Sequence, residues 1–261
     1  MRRLAQIYGV FFRSSFVREL EFRANFFAKV AENVVWTFFF AILVAVIYGN
    51  TNEIVGWNRG EAFVLASTVF LLMALTDAFF SSLKEIPEHV RRGTLDFIMT
   101  RPIDSQFWVS LRRFNFNQVG ATLAGLVMLG YGVVNGGLSP SPLDWLAYAL
   151  CTVNGLLIYY GIEMTMMTLG IYFVRVDNLW VLGDTMMTVA RYPVNIYNLA
   201  AQRFLLYVLP LGVIGTIPAR QLVHGASLAD VGLSCAWAVG ILAFSRWFWR
   251  RALRSYTSAS S

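Results

Sequence analysis

Charged side chains are scarce in this sequence: Asp, Glu, Lys and Arg make up 14% of its 261 residues. A soluble domain usually carries about a quarter. The deficit is concentrated in apolar stretches of about 20 residues, the length that a helix needs to cross the roughly 30 Å hydrocarbon core of a bilayer. The composition therefore excludes an ordinary soluble protein and predicts an all-α, polytopic membrane protein.

Cysteine and histidine are also scarce, which limits the kinds of site that the chain can build. Cys151 and Cys235 fall inside long apolar stretches and lack the spacing of metal ligands. We interpret them as small buried hydrophobic residues, with a disulfide or metal site as the less favoured alternative. His89 and His224 are too isolated to form a catalytic or metal pair. The sequence thus predicts no catalytic site and no metal site.

Lysine is rare as well, and the positions of the lysines exclude one activity. A phosphate-binding P-loop has the pattern Gly-x4-Gly-Lys-[Ser/Thr]. The two lysines, Lys29 and Lys84, follow Ala28 and Leu83, so neither follows a glycine. We therefore expect this chain to bind no nucleotide cofactor itself, and any ATP hydrolysis that it needs to come from a separate subunit.

The apolar stretches predict five clear spans, which are Val34–Tyr48, Ala62–Leu83, Phe114–Val134, Leu143–Val174 and Val231–Trp249. Asn178–Arg191 is moderately apolar and should end at Pro193, so we interpret it as a further crossing. Leu205–Ile217 is apolar but only 13 residues long, too short to cross a bilayer. Together with Pro210 and Pro218 it predicts a broken, re-entrant hairpin.

Glycine recurs in the third predicted span, at positions 120, 125, 130, 132 and 136. Small residues let two helix backbones approach closely inside a membrane. Glycine is frequent in membrane helices generally, so this pattern alone does not identify a packing surface.

A dense polar segment, residues 84–113, separates the second and third spans; we call it the insert. Gly93 can adopt a positive φ, Thr94 can cap a following helix, and Asp96 suits the positive end of that helix. Pro102 should stop the helix within two turns. The insert is therefore predicted to contain a short, capped helix.

One face of this short helix is apolar, because Leu95, Ile98 and Met99 recur at helical spacing. These side chains could enter a pocket on a soluble partner. Four polar residues would surround them, namely Arg91, Arg92, Asp96 and Arg101. The alternative is a surface helix that rests on lipid headgroups.

Residues 1–30 form a separate region before the membrane domain of residues 31–261. Apolar residues recur at helical spacing among arginines, which predicts an amphipathic helix in the headgroup layer. The apolar positions are Ile7, Val10, Phe11, Val17 and Leu20. The alternative is a disordered basic leader.

The basic residues indicate how the chain crosses the membrane. With six spans and the N-terminus inside, 17 of the 21 Lys and Arg residues lie on the inner side, and the remaining four are Arg59, Arg191, Arg203 and Arg220. Because basic residues are enriched on the cytoplasmic side, both termini and the insert are predicted to be cytoplasmic. The net charge of +6 reflects this distribution and not a nucleic-acid site.

Three acidic residues fall inside predicted spans: Glu163, Asp77 and Asp184. A charge at such a position is costly, so it should face protein or water. Two interpretations remain open. The carboxylates line or gate a transport pathway, or they are neutral or bonded to neighbouring helices and serve structure.

The insert carries a spaced motif, Glu88-x3-Arg92-Gly93-Thr94-Leu95-Asp96-x5-Pro102. This motif resembles the signature of type-2 ABC exporter permeases. In that family the loop is the coupling helix that docks on the ATP-binding subunit. The resemblance therefore assigns this role to Glu88, Arg91, Arg92, Gly93, Thr94, Leu95, Asp96, Ile98, Met99 and Pro102.

The second half of the chain resembles the same family. Residues 192–225, with Pro193, Pro210 and Arg220, are similar to its external re-entrant helices between spans five and six. The resemblance implies six transmembrane helices and the permease subunit of an ATP-driven exporter in a bacterial plasma membrane. It also implies two ATP-binding subunits, which hold ATP and Mg, and a second permease that is identical or a sibling.

Two other functions remain open at this point. A secondary transporter should show repeated halves with broken helices, and we find no convincing internal repeat. A membrane scaffold or sensor could use the insert to recruit an effector without transport. Nothing in the sequence selects a substrate.

Overall fold

Helices dominate the computed structural model, which describes residues 2–21, 23–49, 51, 53–173 and 179–256. A two-residue hairpin pairs β1 (Glu53–Ile54) with β2 (Trp57–Asn58) in antiparallel register. The α-helices are α1 Arg2–Glu21, α2 Arg23–Ile47, α3 Arg59–Phe80, α4 Ile86–Arg91, α5 Leu95–Met99, α6 Ser105–Leu111, α7 Val119–Asn135, α8 Pro142–Thr168, α9 Leu179–Ala190, α10 Leu199–Tyr207, α11 Leu211–Val223 and α12 Leu228–Ser255. Short 3-10 turns are Ser81–Glu85, Phe116–Gln118, Leu169–Ile171 and Val194–Ile196.

Side-chain caps define where the long helices begin. The Asn58 side chain accepts a hydrogen bond from the backbone N–H of Glu61, whose carboxylate accepts one from the Asn58 N–H. Ser141 and Asp144 form the same reciprocal pair at the start of α8. Such capping boxes satisfy backbone donors that a helix end otherwise leaves unpaired. The starts of α3 and α8 are therefore fixed locally by sequence.

Five of the described helices are long and apolar enough to cross a membrane, or six if the bent pair α10–α11 counts as one span. The expectation of a multi-span, all-α protein is confirmed at this level. The segment Asn178–Arg191, which we expected to cross the membrane, forms only a short helix. Asn178 lies outside the described residues, and α9 has 12 residues. At 1.5 Å per residue α9 is about 18 Å long, too short to cross alone.

α10 and α11 bend by 93° at a break that contains Pro210, a geometry that fits either a broken span or a re-entrant hairpin, so the re-entrant role stays a prediction. Pro218 does not break the chain there, because it lies inside α11. Buried side chains of α11, including Ile214 and Ile217, share one cluster with Val69. Since Val69 is at the middle of α3, α11 reaches the interior of the helix bundle.

The end of α9 meets α11 inside the bundle. A Cβ added at Gly215 would lie 2.5 Å from the carbonyl oxygen of Ala190. Ala190 belongs to the same cluster as Val69, so α9 ends beside the middle of α3. Arg191, which we expected on the outer surface, therefore follows a helix that stops part-way along the bundle.

Glycines allow α3 and α7 to cross closely. A Cβ at Gly60 would lie 2.2 Å from the Cα of Gly136, and a Cβ at Gly132 would lie 2.8 Å from the backbone N of Val64. Gly130, in contrast, has nothing within 4 Å of its added Cβ. The glycine pattern of this helix therefore includes both packing positions and an open one.

We expect Gly132→Ala to destabilise the protein by about 1–3 kcal/mol, because the added methyl group meets backbone atoms that cannot move aside. Gly130→Ala is the matched control and should be neutral or slightly stabilising, since alanine favours helix more than glycine does. Thermal unfolding of the purified protein in one detergent compares the two variants. Equal melting temperatures would contradict the close crossing.

Candidate functional sites in the insert and in a charged cavity

The insert folds into three short helices, α4, α5 and α6, and Gly93 makes the turn between the first two. Its φ of +67° lies in the left-handed region, where a side chain would be strained, so the prediction for this residue is confirmed. The N–H of Gly93 donates to the carbonyl of Val90. α5 ends at Met99, before Pro102, as the proline predicts.

Thr94 does not cap α5, which corrects the expectation for this side chain. Its backbone angles, φ −77° and ψ −7°, are helical, whereas a capping residue normally has extended angles. The hydroxyl instead lies 2.8 Å from Nδ1 of His89. Thr94 therefore joins α4 to the start of α5.

The apolar face of α5 is turned inward. Leu95 and Ile98 are 0% and 3% exposed, and they pack in one cluster with Met164 of α8 and Trp249 of α12. These two side chains are thus part of the protein's own core and are not available for a partner's pocket. The apolar face of α5 packs against the larger apolar surface at the ends of α8 and α12, which the sequence alone did not predict. Phe97, in contrast, is 69% exposed.

Charged side chains surround the exposed part of the insert. Glu88 forms ion pairs with Arg91 and Arg92, one helical turn away. Arg101 lies over the Trp108 ring, with its guanidinium carbon 5.2 Å from the ring centre. The exposed residues of the insert are Arg91, Arg92, Phe97, Met99, Thr100, Arg101, Pro102, Asp104 and Arg113.

Hydrogen bonds tie α6 to the long helices. Asp104 caps α6 by accepting from the N–H of Phe107 at 3.0 Å, and it also accepts from Arg246 of α12 at 2.8 Å. Tyr160 of α8 lies 2.9 Å from the Ser110 hydroxyl. The Arg246 guanidinium beside Asp104 holds the pKa of that carboxyl below its usual value. The insert is therefore bound to both α8 and α12.

The two ends of the insert are joined by Glu85, which pairs with both Arg112 and Arg113. Arg112 also lies 4.6 Å from the centre of the Trp108 ring. Burial lowers the pKa of Arg112 to about 10, which leaves it charged at neutral pH. The insert is thus closed into a rigid loop.

α1 contacts the end of the insert. The N–H of Phe114 donates to the Ser15 hydroxyl at 3.1 Å, and the ring of Phe12 lies 5.0 Å from that of Phe114. Residues 2–21 form a helix that packs against the end of the insert. Their location in a headgroup layer stays a prediction.

A second site is a cavity of about 260 Å³ between α2, α3, α7, α8 and α9, which we call the charged cavity. It brings together all three acidic residues predicted inside spans: Asp77, Glu163 and Asp184. Its other lining residues are Asn33, Trp36, Thr37, Phe70, Met73, Ala74, Thr76, Lys84, Gln118, Ala121, Tyr159 and Arg191.

The three carboxylates differ in their partners. Asp77 accepts hydrogen bonds from Lys84 at 3.0 Å and from Asn115 and Gln118, both at 2.8 Å. Among the described residues, the Asp184 carboxylate accepts one long hydrogen bond, from the Tyr159 hydroxyl at 3.4 Å. Glu163 is 3% exposed and has no hydrogen bond within the described ranges. The hydrogen-bonded form of the structural interpretation therefore suits Asp77. For Glu163 two interpretations remain, a pathway residue or a neutral buried carboxyl group.

Sequence reasoning did not single out Lys84, Arg191 or Tyr159 for the charged cavity. Asp77 and Lys84 are seven residues apart, about two helical turns, and this spacing is the signal that could have paired them. The Arg191 guanidinium lies 4.9 Å from the centre of the Phe70 ring. No local sequence pattern predicts the contact between Arg191 and Phe70, because it depends on where α9 ends.

The remaining predicted residues lie away from the charged cavity. Pro193 precedes the turn Val194–Ile196, Pro210 lies at the α10–α11 break, and Arg220 is 3.5 Å from Asp230. In the part of the chain that the structure describes, no three His, Cys, Asp or Glu residues are grouped to hold a metal ion.

Comparison with known proteins identifies the family. A search of curated proteins found no match, and a search of solved structures also found none. A family model described as "ABC-2 family transporter protein" matches residues 34–260. This match includes the insert, every lining residue of the charged cavity except Asn33, and the bent α10–α11 pair. The chain is a multi-pass membrane protein that belongs to the ABC-2 transporter family.

Proposed function

We propose that this chain is the membrane-spanning permease subunit of an ATP-driven exporter and that a separate ATP-binding subunit moves it through the insert. The observation that carries the proposal is the combination of the family match with a rigid, charged insert fixed to the long helices. ATP and Mg are held by the partner, since no glycine-lysine P-loop pattern occurs in this sequence.

The docking surface that we propose differs from the one expected from sequence. Leu95 and Ile98 support α5 from within, while Phe97 and Met99 project outward beside Arg92. Aromatic residues, phenylalanine included, and also methionine and arginine are enriched at protein–protein interfaces. Phe97 is therefore the anchor, and the arginines form its polar rim.

The anchoring contacts suggest how movement would spread. The insert continues from α3 through the turn Ser81–Glu85, and it is bonded to Tyr160 of α8 and Arg246 of α12. These contacts favour α3, α8 and α12 as the helices that respond first.

The proposed orientation places the insert in the cytoplasm. The last turns of α12 carry Arg250, Arg251 and Arg254, and α12 reaches the insert through Arg246. Basic residues concentrate on the cytoplasmic side of membranes, here proposed to be a bacterial plasma membrane.

A second permease subunit completes the proposed complex, with two ATP-binding subunits. α2 exposes an apolar surface that includes Trp36, Phe38 and Phe39. Such a surface suits lipid or a second permease, identical or sibling. The translocation path would then lie between the two permeases.

We expect Phe97→Ser to lower recovery of the ATP-binding subunit with the tagged permease, because the exposed ring is lost while the insert's core stays intact. Truncating an anchor residue at an interface typically costs about 2 kcal/mol or more, which corresponds to at least tenfold weaker binding. The subunit is recognised by a P-loop peptide in mass spectrometry of the purified complex.

Phe204→Ser is the matched control, since Phe204 is an exposed phenylalanine of α10, away from the insert. Its recovery of the ATP-binding subunit should equal that of the wild type. Equal recovery for Phe97→Ser, with an unchanged melting temperature, would sink the proposed docking surface. Leu95→Asp is unsuitable, because a buried charge would unfold the insert.

We expect Asp104→Asn to keep the cap on α6 but to lose the ion pair with Arg246, which should cost about 0.5–1 kcal/mol at neutral pH. Because the folded-state pKa of Asp104 is lowered, its stabilisation is present above the unfolded value of about 3.9 and is lost as the pH falls below it. The stability gap between wild type and variant should therefore shrink in acid. Thermal unfolding at a series of pH values measures it, and a gap that grows in acid would contradict the ion pair.

A further inference from the structure

We propose that the charged cavity binds the cationic group of an amphipathic organic molecule, with Glu163 as its main counter-ion and Asp184 as the second. As a description of exported cargo, this inference rests on the proposed function. As a binding site, it stands on the geometry of the cavity alone.

The charges of the cavity lining leave two carboxylates without a close cation. The lining holds three carboxyl groups, Asp77, Glu163 and Asp184, but only two basic side chains, Lys84 and Arg191. Lys84 is committed to Asp77, with its Nζ 3.0 Å from a carboxylate oxygen. Glu163 and Asp184 have no ion pair within the described residues. A buried carboxylate without a partner is costly, so a cation that enters would be stabilised strongly.

Arg191 does not supply that cation. Its guanidinium carbon lies 4.9 Å from the centre of the Phe70 ring and 5.6 Å from that of Phe40, and its Nη2 is 3.3 Å from the Met73 sulfur. These contacts hold the positive charge against aromatic and sulfur groups of α2 and α3. Glu163, on α8, is left without it.

Glu163 is the side chain that points to a ligand. It is 97% buried, it lines the cavity, and it accepts no hydrogen bond from any described residue. Asp77 provides the internal contrast, because three donors surround its carboxylate in the same cavity. A carboxylate kept for structure alone would be expected to resemble Asp77.

The rest of the lining suits an organic cation. Trp36, Phe70 and Tyr159 offer aromatic rings, and ammonium groups bind favourably to the faces of such rings. Met73, Ala74 and Ala121 add an apolar wall for the hydrocarbon part of a molecule. A metal ion is disfavoured, because the described residues hold no cluster of three possible ligands. An anion would meet the two uncompensated carboxylates.

Benzyltrimethylammonium is the probe, because it carries one fixed charge and one aromatic ring. Its uncharged isostere, neopentylbenzene, and the anion benzenesulfonate are the comparison ligands. The full-length chain is reconstituted in lipid nanodiscs, and affinity is measured by titration against empty nanodiscs. The wild type should bind the cation at least about tenfold more tightly than either comparison ligand.

Glu163→Gln should weaken binding of the cation about tenfold while leaving the affinity for neopentylbenzene unchanged, because the amide keeps the shape and removes the charge. Asp184→Asn is the second variant, should the first fail to fold, and it should reduce affinity in the same direction. Asp230→Asn is the matched control, since Asp230 pairs with Arg220 away from the cavity, and it should bind as the wild type does.

Three results would overturn the inference: equal affinity for the cation and its isostere, preference for benzenesulfonate, or undiminished binding by folded Glu163→Gln and Asp184→Asn. The assay contains no ATP and no partner subunit. Its failure is therefore separate from failure of the docking surface, which Phe97→Ser tests without any cargo.

Discussion

Hydrocarbon offers no hydrogen bonds, so each polar group among the spans must find its partner within the protein. Most hydroxyl groups solve this locally: Thr165 and Thr168 of α8 donate to carbonyls one turn earlier, at 2.7 and 2.6 Å. Asp77 solves it with three donors from two other segments. Among the described residues Glu163 differs, because no hydrogen bond or ion pair reaches its carboxyl group, and ionisable residues inside membrane spans often mark functional sites.

The same need to pair polar groups explains how the insert is packed. Its core is apolar and continuous with the ends of α8 and α12, through Leu95, Ile98 and Trp249. Its charged side chains are paired with each other or with the long helices, as Glu85 and Asp104 show. A loop packed in this way is tied to the long helices at several points. This packing supports the proposal that a partner bound to the insert could move those helices.

Much of this arrangement could be predicted from sequence, because it depends on local signals. Span length, the turn at Gly93 and the break near Pro210 all follow from hydropathy and from backbone constraints. The direction of the α5 face could not be predicted, since periodicity shows that Leu95 and Ile98 share a face but not what covers it. The prediction that Arg191 lies on the outer surface was wrong for a similar reason. Its position depends on where α9 ends and on how α9 packs against Gly215 of α11, and tertiary packing determines both. The three acidic residues were recognised singly, and only the packing of α3, α8 and α9 unites them.

One turn of the chain belongs to both sites. Lys84 and Glu85 are adjacent in the 3-10 turn Ser81–Glu85; the Lys84 side chain enters the charged cavity to pair with Asp77, and the Glu85 side chain pairs with Arg112 and Arg113 in the insert. Lys84 and Glu85 are joined by one peptide bond, so a displacement of the insert that moves Glu85 would also shift the ammonium group of Lys84. Moving that positive charge relative to Glu163 would change how strongly the cavity holds a cation. The turn Ser81–Glu85 thus joins the insert to the proposed ligand site through two adjacent residues.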